Sequence, residues 1–384
     1  MPPLPAAPDY AGASLADVLP GVCASLGVPS ATGERRWSGR LALPPARRAV
    51  VVLVDGLGAD QLGRRLGHAP WLRSLAGSTR RVPAGFPSTT ATSLATFGTG
   101  APPGAHGMLG YEVLVPEQDR VFNELSWEDG PVPERWQALP TWFERAAADG
   151  VAVTRIGPAF FDGSGLTRAA LRGGRFAAAD SLADRVDAAL TALRAHPRSL
   201  VYLYWGEVDK LGHVHGPESF EWTTELEAVD RELARLAAGL PPDTSLTVTA
   251  DHGMVACPHE SRLDVAEDPG MLEGVRHLGG EPRATHVYCR PGAAPHVAAA
   301  WSARLGDRAV VRTRADAVAD GWFGPVSPGN LERIGDLVVV AQGDFCLVDS
   351  ARMRPQFLAL VGMHGGLTGE ELDVPVVHVP ASVA

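Results

Sequence analysis

Four short stretches of this sequence set a carboxylate, an imidazole or both close to glycine: Asp55-Gly56, Asp209-x-x-x-His213, Asp251-His252-Gly253 and His364-Gly365-Gly366. Together they offer six oxygen and nitrogen donors with no cysteine among them, a set that suits zinc or manganese. Singly, each has an ordinary reading. Asp-Gly after a strand is a common turn, and Asp209 and His213 at i, i+4 make a routine helix-face pair. Asp251 can cap a helix ahead of a solvent-facing His252, and His364 among glycines reads as loop. A fifth stretch, Phe86-Pro87-Ser88-Thr89-Thr90-Ala91-Thr92-Ser93, carries five hydroxyls in six residues, more than one helix cap uses. A hydroxyl at a helix N-terminus beside a dication is an activated nucleophile, and the helix dipole there favours an incoming phosphate.

These residues need elements that bring them together. Residues 49–54 (AVVVLV) form a continuous β-branched run, as expected of a strand inside a parallel sheet covered on both faces. Similar runs recur at 151–154, 200–204, 246–249 and 337–340, with helix-like stretches at 91–97, 142–148, 181–195 and 219–238. Strands alternating with helices predict an α/β fold with a mostly parallel central sheet and helices on both faces. Ligands in such sheets lie beyond the carboxyl ends of the strands. Asp55 follows the first run, Asp209 and His213 follow 200–204, and Asp251 and His252 follow 246–249. That shared placement is what turns four ordinary motifs into one candidate site. The segment 261–332 reads differently, as strand 285–289, helix 294–305 and strand 309–314, a small α+β cap. The expected organisation is therefore an N-terminal wrapping segment 1–48 with a weak helix around 14–26, a catalytic core of 49–260 and 333–384, and an inserted cap 261–332. The run at 337–340 is expected to resume the main sheet.

The composition limits partners. Of 384 residues, 45% are hydrophobic and 20% charged, which excludes a disordered or fibrous chain. The net charge is −10 and Lys210 is the one lysine, with no basic patch, so no nucleic-acid polymer is expected as partner. Cys23, Cys257, Cys289 and Cys346 are scattered and suggest neither a disulfide framework nor a thiolate metal site. Residues 1–30 show no basic stretch leading into an apolar one, and no apolar run reaches the ~18 residues a membrane span needs. The expectation is a cytoplasmic protein acting on a small phosphorylated substrate away from membranes, with no oligomeric state specified.

Asp55-Gly, Phe-Pro-x-x-Thr at 86–90, Thr99-Gly100 with His106-Gly107, Asp209-x-x-x-His213-x-x-Gly-Pro, Asp251-His252-Gly253 and His364-Gly365 resemble the alkaline phosphatase superfamily. Their order is most similar to its nucleotide pyrophosphatase/phosphodiesterase branch, over about 49–380 with the cap outside. The resemblance implies two zinc ions, one held by Asp209, His213 and His364, the other by Asp55, Asp251 and His252, with Thr90 as the nucleophile bound to the second ion. It also implies a Thr90 phospho-enzyme, with Thr89 capping the helix and His106 structural. Two positions depart from the branch. Tyr111 stands where it has a phosphate-binding Asn, and Ala91 where it often has an aromatic wall, while Tyr204 matches the other wall. Tyr111 and Tyr204 are thus the implied substrate-binding residues. The leading expectation is a two-metal phosphodiesterase or pyrophosphatase. A phosphomonoesterase or phosphonate (C–P) hydrolase on the same site is the alternative, for which Arg155 and Arg283 are candidate cations. A metal-binding scaffold is the non-enzymatic alternative, which would have no use for Thr90.

Overall fold

The computed structural model describes residues 4–29 and 40–382; residues 1–3 and 30–39 of the expected N-terminal segment lie outside the described residues. Within that segment α1 (Val18–Ser25) buries Val18, Leu19 and Val22, with Leu15 just ahead of it, against the helical layer.

The apolar run at 49–54 forms β1 (Arg48–Val54), which has a parallel partner on each side and buries six consecutive residues. A strand covered on both faces has no use for alternating polar residues, which explains the unbroken run. The remaining strands of the main sheet are β2 (Arg80–Pro83), β3 (Ala152–Gly157), β4 (Arg175–Ala178), β5 (Ser199–Trp205) and β6 (Thr244–Thr249). Next in the chain come β7 (Val275–Glu281), β8 (Ala284–Cys289), β9 (Ala309–Thr313) and β10 (Leu337–Ala341), which build a second sheet. Finally β11 (Asp373–Val379) returns to the first. The main sheet runs β2-β11-β6-β1-β5-β3-β4, parallel from β6 to β4, with β11 antiparallel to both of its neighbours. Helices α2 (Thr90–Thr99), α3 (Trp142–Ala148), α4 (Leu182–Ala195), α5 (Glu207–His215) and α6 (Phe220–Gly239) belong to this layer, and α7 (Ala294–Leu305) packs on β9. Among the described residues no helix is long and apolar enough to cross a membrane.

One expectation is corrected. The run at 337–340 does not resume the main sheet: β10 sits between β8 and β9 in the antiparallel second sheet, order β7-β8-β10-β9. Its alternation shows why the run misleads. Val338 and Val340 join the main core, while Leu337, Val339 and Ala341 join a separate core with Trp301, Val287 and Met271. A strand buried on both faces reads the same in either sheet. The edge strands β2 and β4 were not apparent in the sequence because edges carry exposed charge: Arg80, Arg81 and Arg175 are all exposed.

Helix α2 carries the hydroxyl cluster and is clamped from behind. A Cβ at Gly98 would stand 1.9 Å from the Ala170 carbonyl oxygen. In an exposed helix interior Gly→Ala gains roughly 0.5–1 kcal/mol. Here Gly98→Ala should instead destabilise by at least about 1 kcal/mol through overpacking, lowering the thermal midpoint. A midpoint raised by the substitution would show that α2 can move away from residue 170.

Candidate metal centre

The sheet delivers the donors as its topology dictates. Asp55 is the first residue after β1, and its N–H donates to the Trp205 carbonyl at the end of β5 at 2.8 Å. Gly56 then turns at φ +71, where a Cβ would lie 2.8 Å from Asp209 Cα, so glycine is what lets the β1 loop approach α5. Asp209 and His213 stand one turn apart on α5. Asp251 and His252 follow β6, and the short strand Gly362–Met363 pairs with Val255–Ala256 to bring His364 across. Two trios result, Asp209/His213/His364 and Asp55/Asp251/His252, each with its donor atoms within 4.8 Å of one another. The structure therefore collects all six expected donors, in the same two groups that the motifs imply.

All three imidazoles are oriented alike. Nδ1 of His213, His252 and His364 lies 2.7, 3.0 and 2.9 Å from the carbonyl oxygens of Gly362, Gly253 and Ser88. A carbonyl only accepts, so each Nδ1 carries a hydrogen and each Nε2 turns toward the carboxylates, the arrangement typical of metal-ligating histidines. His252 Nε2 is 3.3 Å from Asp55 Oδ1 and 3.5 Å from Asp251 Oδ2. His213 Nε2 is 3.4 Å from Asp209 Oδ2, and His364 Nε2 is 3.9 Å from Asp209 Oδ1. Ligands ~2.1 Å from one tetrahedral ion stand about 3.4 Å apart, so these spacings fit a shared cation. One oxygen of each carboxylate, Asp55 Oδ1, Asp209 Oδ1 and Asp251 Oδ2, is buried without a hydrogen bond. The donor set and its unpartnered oxygens fit two divalent ions.

The electrostatics agree. Burial pushes Asp209 up to about 6, and burial with the Asp55 charge holds Asp251 well above the carboxylate range. For Asp55 burial also raises the pKa, but the His252 ring, the Tyr204 phenol and Asp251 outweigh it and hold the carboxyl low. Burial lowers His252, yet Asp251, Asp55 and Asp209 lift it to about 10. His364 is driven well down by burial and by the neighbouring His252 and His213. Three buried carboxylates thus draw positive charge to the Nε2 side of the cluster, where protons and metal ions compete.

Thr90 opens α2, and its Oγ1 is 3.3 Å from His252 Nε2, which places the hydroxyl on the Asp55/Asp251/His252 trio. Thr89 is the N-cap residue, but its side chain makes no capping bond; it faces the carboxyl of Glu281 instead. The expected cap is corrected accordingly. Tyr204 directs its hydroxyl to Asp55 Oδ2, and its ring packs 5.4 Å from Phe161. Tyr111 donates its backbone N–H to Glu281 Oε2 at 2.9 Å, and its half-buried phenol lies beside Asn123. Arg283 is no free cation: it is fully buried in a two-pronged pair with Glu371 at 2.7 and 2.9 Å. Arg155 is buried over the Phe176 ring. His106 bonds Thr96 and the Met108 amide, a structural role.

Sequence reasoning missed two acids. Glu371 accepts from the Gly366 N–H at 2.8 Å and the Thr368 hydroxyl at 2.6 Å, steadying the loop that bears His364. Glu281, whose pKa burial pushes up to about 8, reaches the site from the end of β7. Neither lies in a motif; only the Gly-Gly-Glu-Pro-Arg run at 279–283 marks Glu281 as part of a turn between strands.

The family model for type I phosphodiesterase / nucleotide pyrophosphatase matches residues 49–367. Among curated proteins, an uncharacterized pyrophosphatase/phosphodiesterase of Schizosaccharomyces pombe is 28% identical over 256 residues, 61% of this chain and 50% of the relative. The ectonucleotide pyrophosphatase/phosphodiesterase family member 7 of Mus musculus is 43% identical over 61 residues, 15% of this chain and 14% of the relative. The chain thus spans about half the length, or less, of the curated relatives it matches. Among solved structures, an inactive variant of murine ectonucleotide pyrophosphatase/phosphodiesterase 5 with AMP has a TM-score of 0.70 at 19% identity, covering 86% of this chain and 87% of the other. Phosphonoacetate hydrolase from Sinorhizobium meliloti with phosphonoformate has a TM-score of 0.66 at 20% identity, covering 88% and 91%. At such identities these likenesses establish a shared fold.

Two outcomes follow from the centre. Below about pH 6 Asp209 holds a proton that a dication must displace; above it the oxygen is free. The apparent Zn2+ affinity of chelator-stripped protein should therefore rise with pH from about pH 5, first as Asp209 loses its proton and further as the His252 ring, lifted to about 10, loses its own. Calorimetry in buffers of different ionisation enthalpy reads the protons released, and a pH-independent affinity would remove Asp209 from the ligand set. Tyr204→Phe, which frees Asp55 of its phenol, should weaken Zn2+ binding by roughly 10- to 100-fold while circular dichroism stays unchanged.

Proposed function

This chain belongs to the type I phosphodiesterase / nucleotide pyrophosphatase family, within the alkaline phosphatase superfamily, and we propose that it is a metal-dependent phosphoric ester hydrolase acting on a small phosphodiester or pyrophosphate. The observation that carries this reading is the Thr90 hydroxyl, 3.3 Å from His252 at the head of α2, on the buried Asp55/Asp251/His252 trio and near the half-buried Asp209/His213/His364 trio.

In this reading two zinc ions, or manganese in their place, are held by Asp209, His213 and His364 and by Asp55, Asp251 and His252. Bound there, they supply Lewis-acid stabilisation of the attacking and leaving oxygens. The chain's own residues do the rest. The N-terminus of α2 directs its first amides and the positive end of its dipole at the phosphoryl oxygens. Thr90 Oγ1 forms a bond to phosphorus as the bond to the leaving oxygen breaks, and the proton lost from Thr90 ends on the departing alcohol. Water then cleaves the Thr90 phosphoester and regenerates the hydroxyl. Tyr204 holds Asp55 in place through both steps. We assign Tyr204, whose hydroxyl reaches Asp55, and Tyr111, whose N–H meets Glu281, to the substrate's approach.

A diester suits this site better than a monoester. Arg283 is neutralised by Glu371, and Arg155 lies buried against the Phe176 ring and pairs with no member of either donor trio, so neither arginine is placed to take a second phosphate charge. The phosphonate reading is kept because the S. meliloti neighbour was solved with phosphonoformate and phosphonoacetate, and the murine one with AMP, all bearing phosphorus oxyanions. A cytoplasmic setting belongs to the same reading, supported by Cys257 and Cys346, buried side by side as free thiols.

Bis-(p-nitrophenyl) phosphate, p-nitrophenyl phosphate and phosphonoacetate, each with zinc, with manganese and after chelation, separate these readings. Diester turnover should exceed monoester turnover at least tenfold, about 1.4 kcal/mol in barrier; the reverse ratio makes the chain a phosphomonoesterase, and turnover of phosphonoacetate alone a C–P hydrolase. Thr90→Ala should abolish turnover yet keep its metal, and Thr90→Ser should retain part of the rate, because the hydroxyl chemistry survives. An active Thr90→Ala protein would end the phospho-enzyme reading.

A further inference from the structure

We propose that Glu281 is a specificity-determining residue of the phosphoryl site: its carboxylate, brought in from the end of β7, stands beside the nucleophile and selects a substrate with one negative charge at phosphorus over one with two. The proposal rests on the ester-hydrolase reading and names the residue that sets its substrate class.

Three contacts fix the carboxyl at the corner where the nucleophile helix meets the His364 loop. Oε2 accepts from the Tyr111 N–H at 2.9 Å. The Thr89 hydroxyl, one residue before Thr90, faces the same carboxyl. On the other side the chain lies against Gly365, next to His364: a Cβ there would be 2.4 Å from Glu281 Cγ and 3.1 Å from Oε1. Gly365 and Ser88 are themselves bridged, so Glu281 is wedged into the seam between residues 88–90 and 364–366. The side chain is only 6% exposed, and Oε1 is buried with no hydrogen bond of good geometry. Beyond the Tyr111 N–H and the facing Thr89 hydroxyl, no positive group among the described residues pairs with this buried carboxyl. Arg283 does not answer it, being committed to Glu371 on the far side of the same turn.

The charge count gives this position its meaning. Three aspartates set −3 against the +4 of two divalent ions, leaving about one positive charge to meet the substrate. Those same cations favour the ionised form of Glu281 over the neutral form that burial alone favours. Its carboxylate cancels the remaining positive charge. A diester then adds one further negative charge and a monoester two, in a buried setting where screening is weak.

The test compares wild type with Glu281→Gln, which keeps size and the Tyr111 contact but removes the charge. Binding of inorganic phosphate to the zinc-loaded proteins is measured by calorimetry, and kcat/KM is measured for p-nitrophenyl phosphate and its bis ester. The variant should bind phosphate about tenfold more tightly and raise the monoester-to-diester ratio about tenfold, with zinc content unchanged. Unchanged phosphate affinity and ratio overturn the proposal, and so does loss of zinc, which would make Glu281 a support of the metal centre. Tighter phosphate binding in a protein that cleaves neither ester upholds Glu281 as a charge selector and sinks the hydrolase reading instead.

Discussion

Three carboxylates, Asp55, Asp209 and Asp251, are buried together at the carboxyl edge of the main sheet, and most of the surrounding structure answers that one fact. Two unit charges 4 Å apart interact by roughly 4 kcal/mol at an effective dielectric near 20. A domain's net stability is only about 5–15 kcal/mol, so such a cluster cannot persist without positive charge among its oxygens. The His252 ring, lifted to about 10 by these same carboxylates, supplies one positive charge, while burial and the neighbouring imidazoles drive His364 down and keep it from adding another. Divalent ions resolve the conflict directly, and the spacing of the donors is what such ions require.

The fold answers the same constraint with rigidity. Each ligand stands within a few residues of a strand end or helix, and all but Asp209 are held by a group outside the donor pairings, among them Asp55 by Tyr204, Asp251 by the Gly56 amide, and His213 by Gly362. His364 lies on a loop, which is the weakest platform, and there the support is strongest. The buried Arg283–Glu371 pair anchors the Gly366 amide and the Thr368 hydroxyl. Removing one partner of such a pair typically costs about 3–5 kcal/mol because the other is left charged and buried. Arg283 therefore acts on the site through the backbone, although it never meets the substrate side.

How much of this was legible in the sequence depended on whether the information was local. The strand runs, the helices of the core and the six donors were readable because buried parallel strands are continuous and because ligands must follow strand ends. The assignment of 337–340 failed because burial on two faces looks alike in any sheet; only pairing, which is non-local, places β10 between β8 and β9. Thr89 was expected to cap on general propensity, but a tertiary partner, Glu281, claims its hydroxyl. Glu281 and Glu371 were invisible because nothing in their own segments separates a buried acid from a surface one; their partners lie 170 and 88 residues away.

The two sheets thus divide the chemistry. The main sheet and the helices that follow its strands supply five of the six donors and the hydroxyl, and the short strand pair Gly362–Met363/Val255–Ala256 brings the sixth, His364. The second sheet supplies Glu281 and, in the following turn, Arg283, from a hairpin whose strand β8 also holds β10 against the main core through Ala284 and Val340. Gly365 is the point where the two meet: its φ of +124 and its missing Cβ let the His364 loop and the Glu281 side chain share one space. Any larger residue there would displace either a donor or the acid. In the proposed reading the charge preference is set from the end of β7, while the donors stand on other elements.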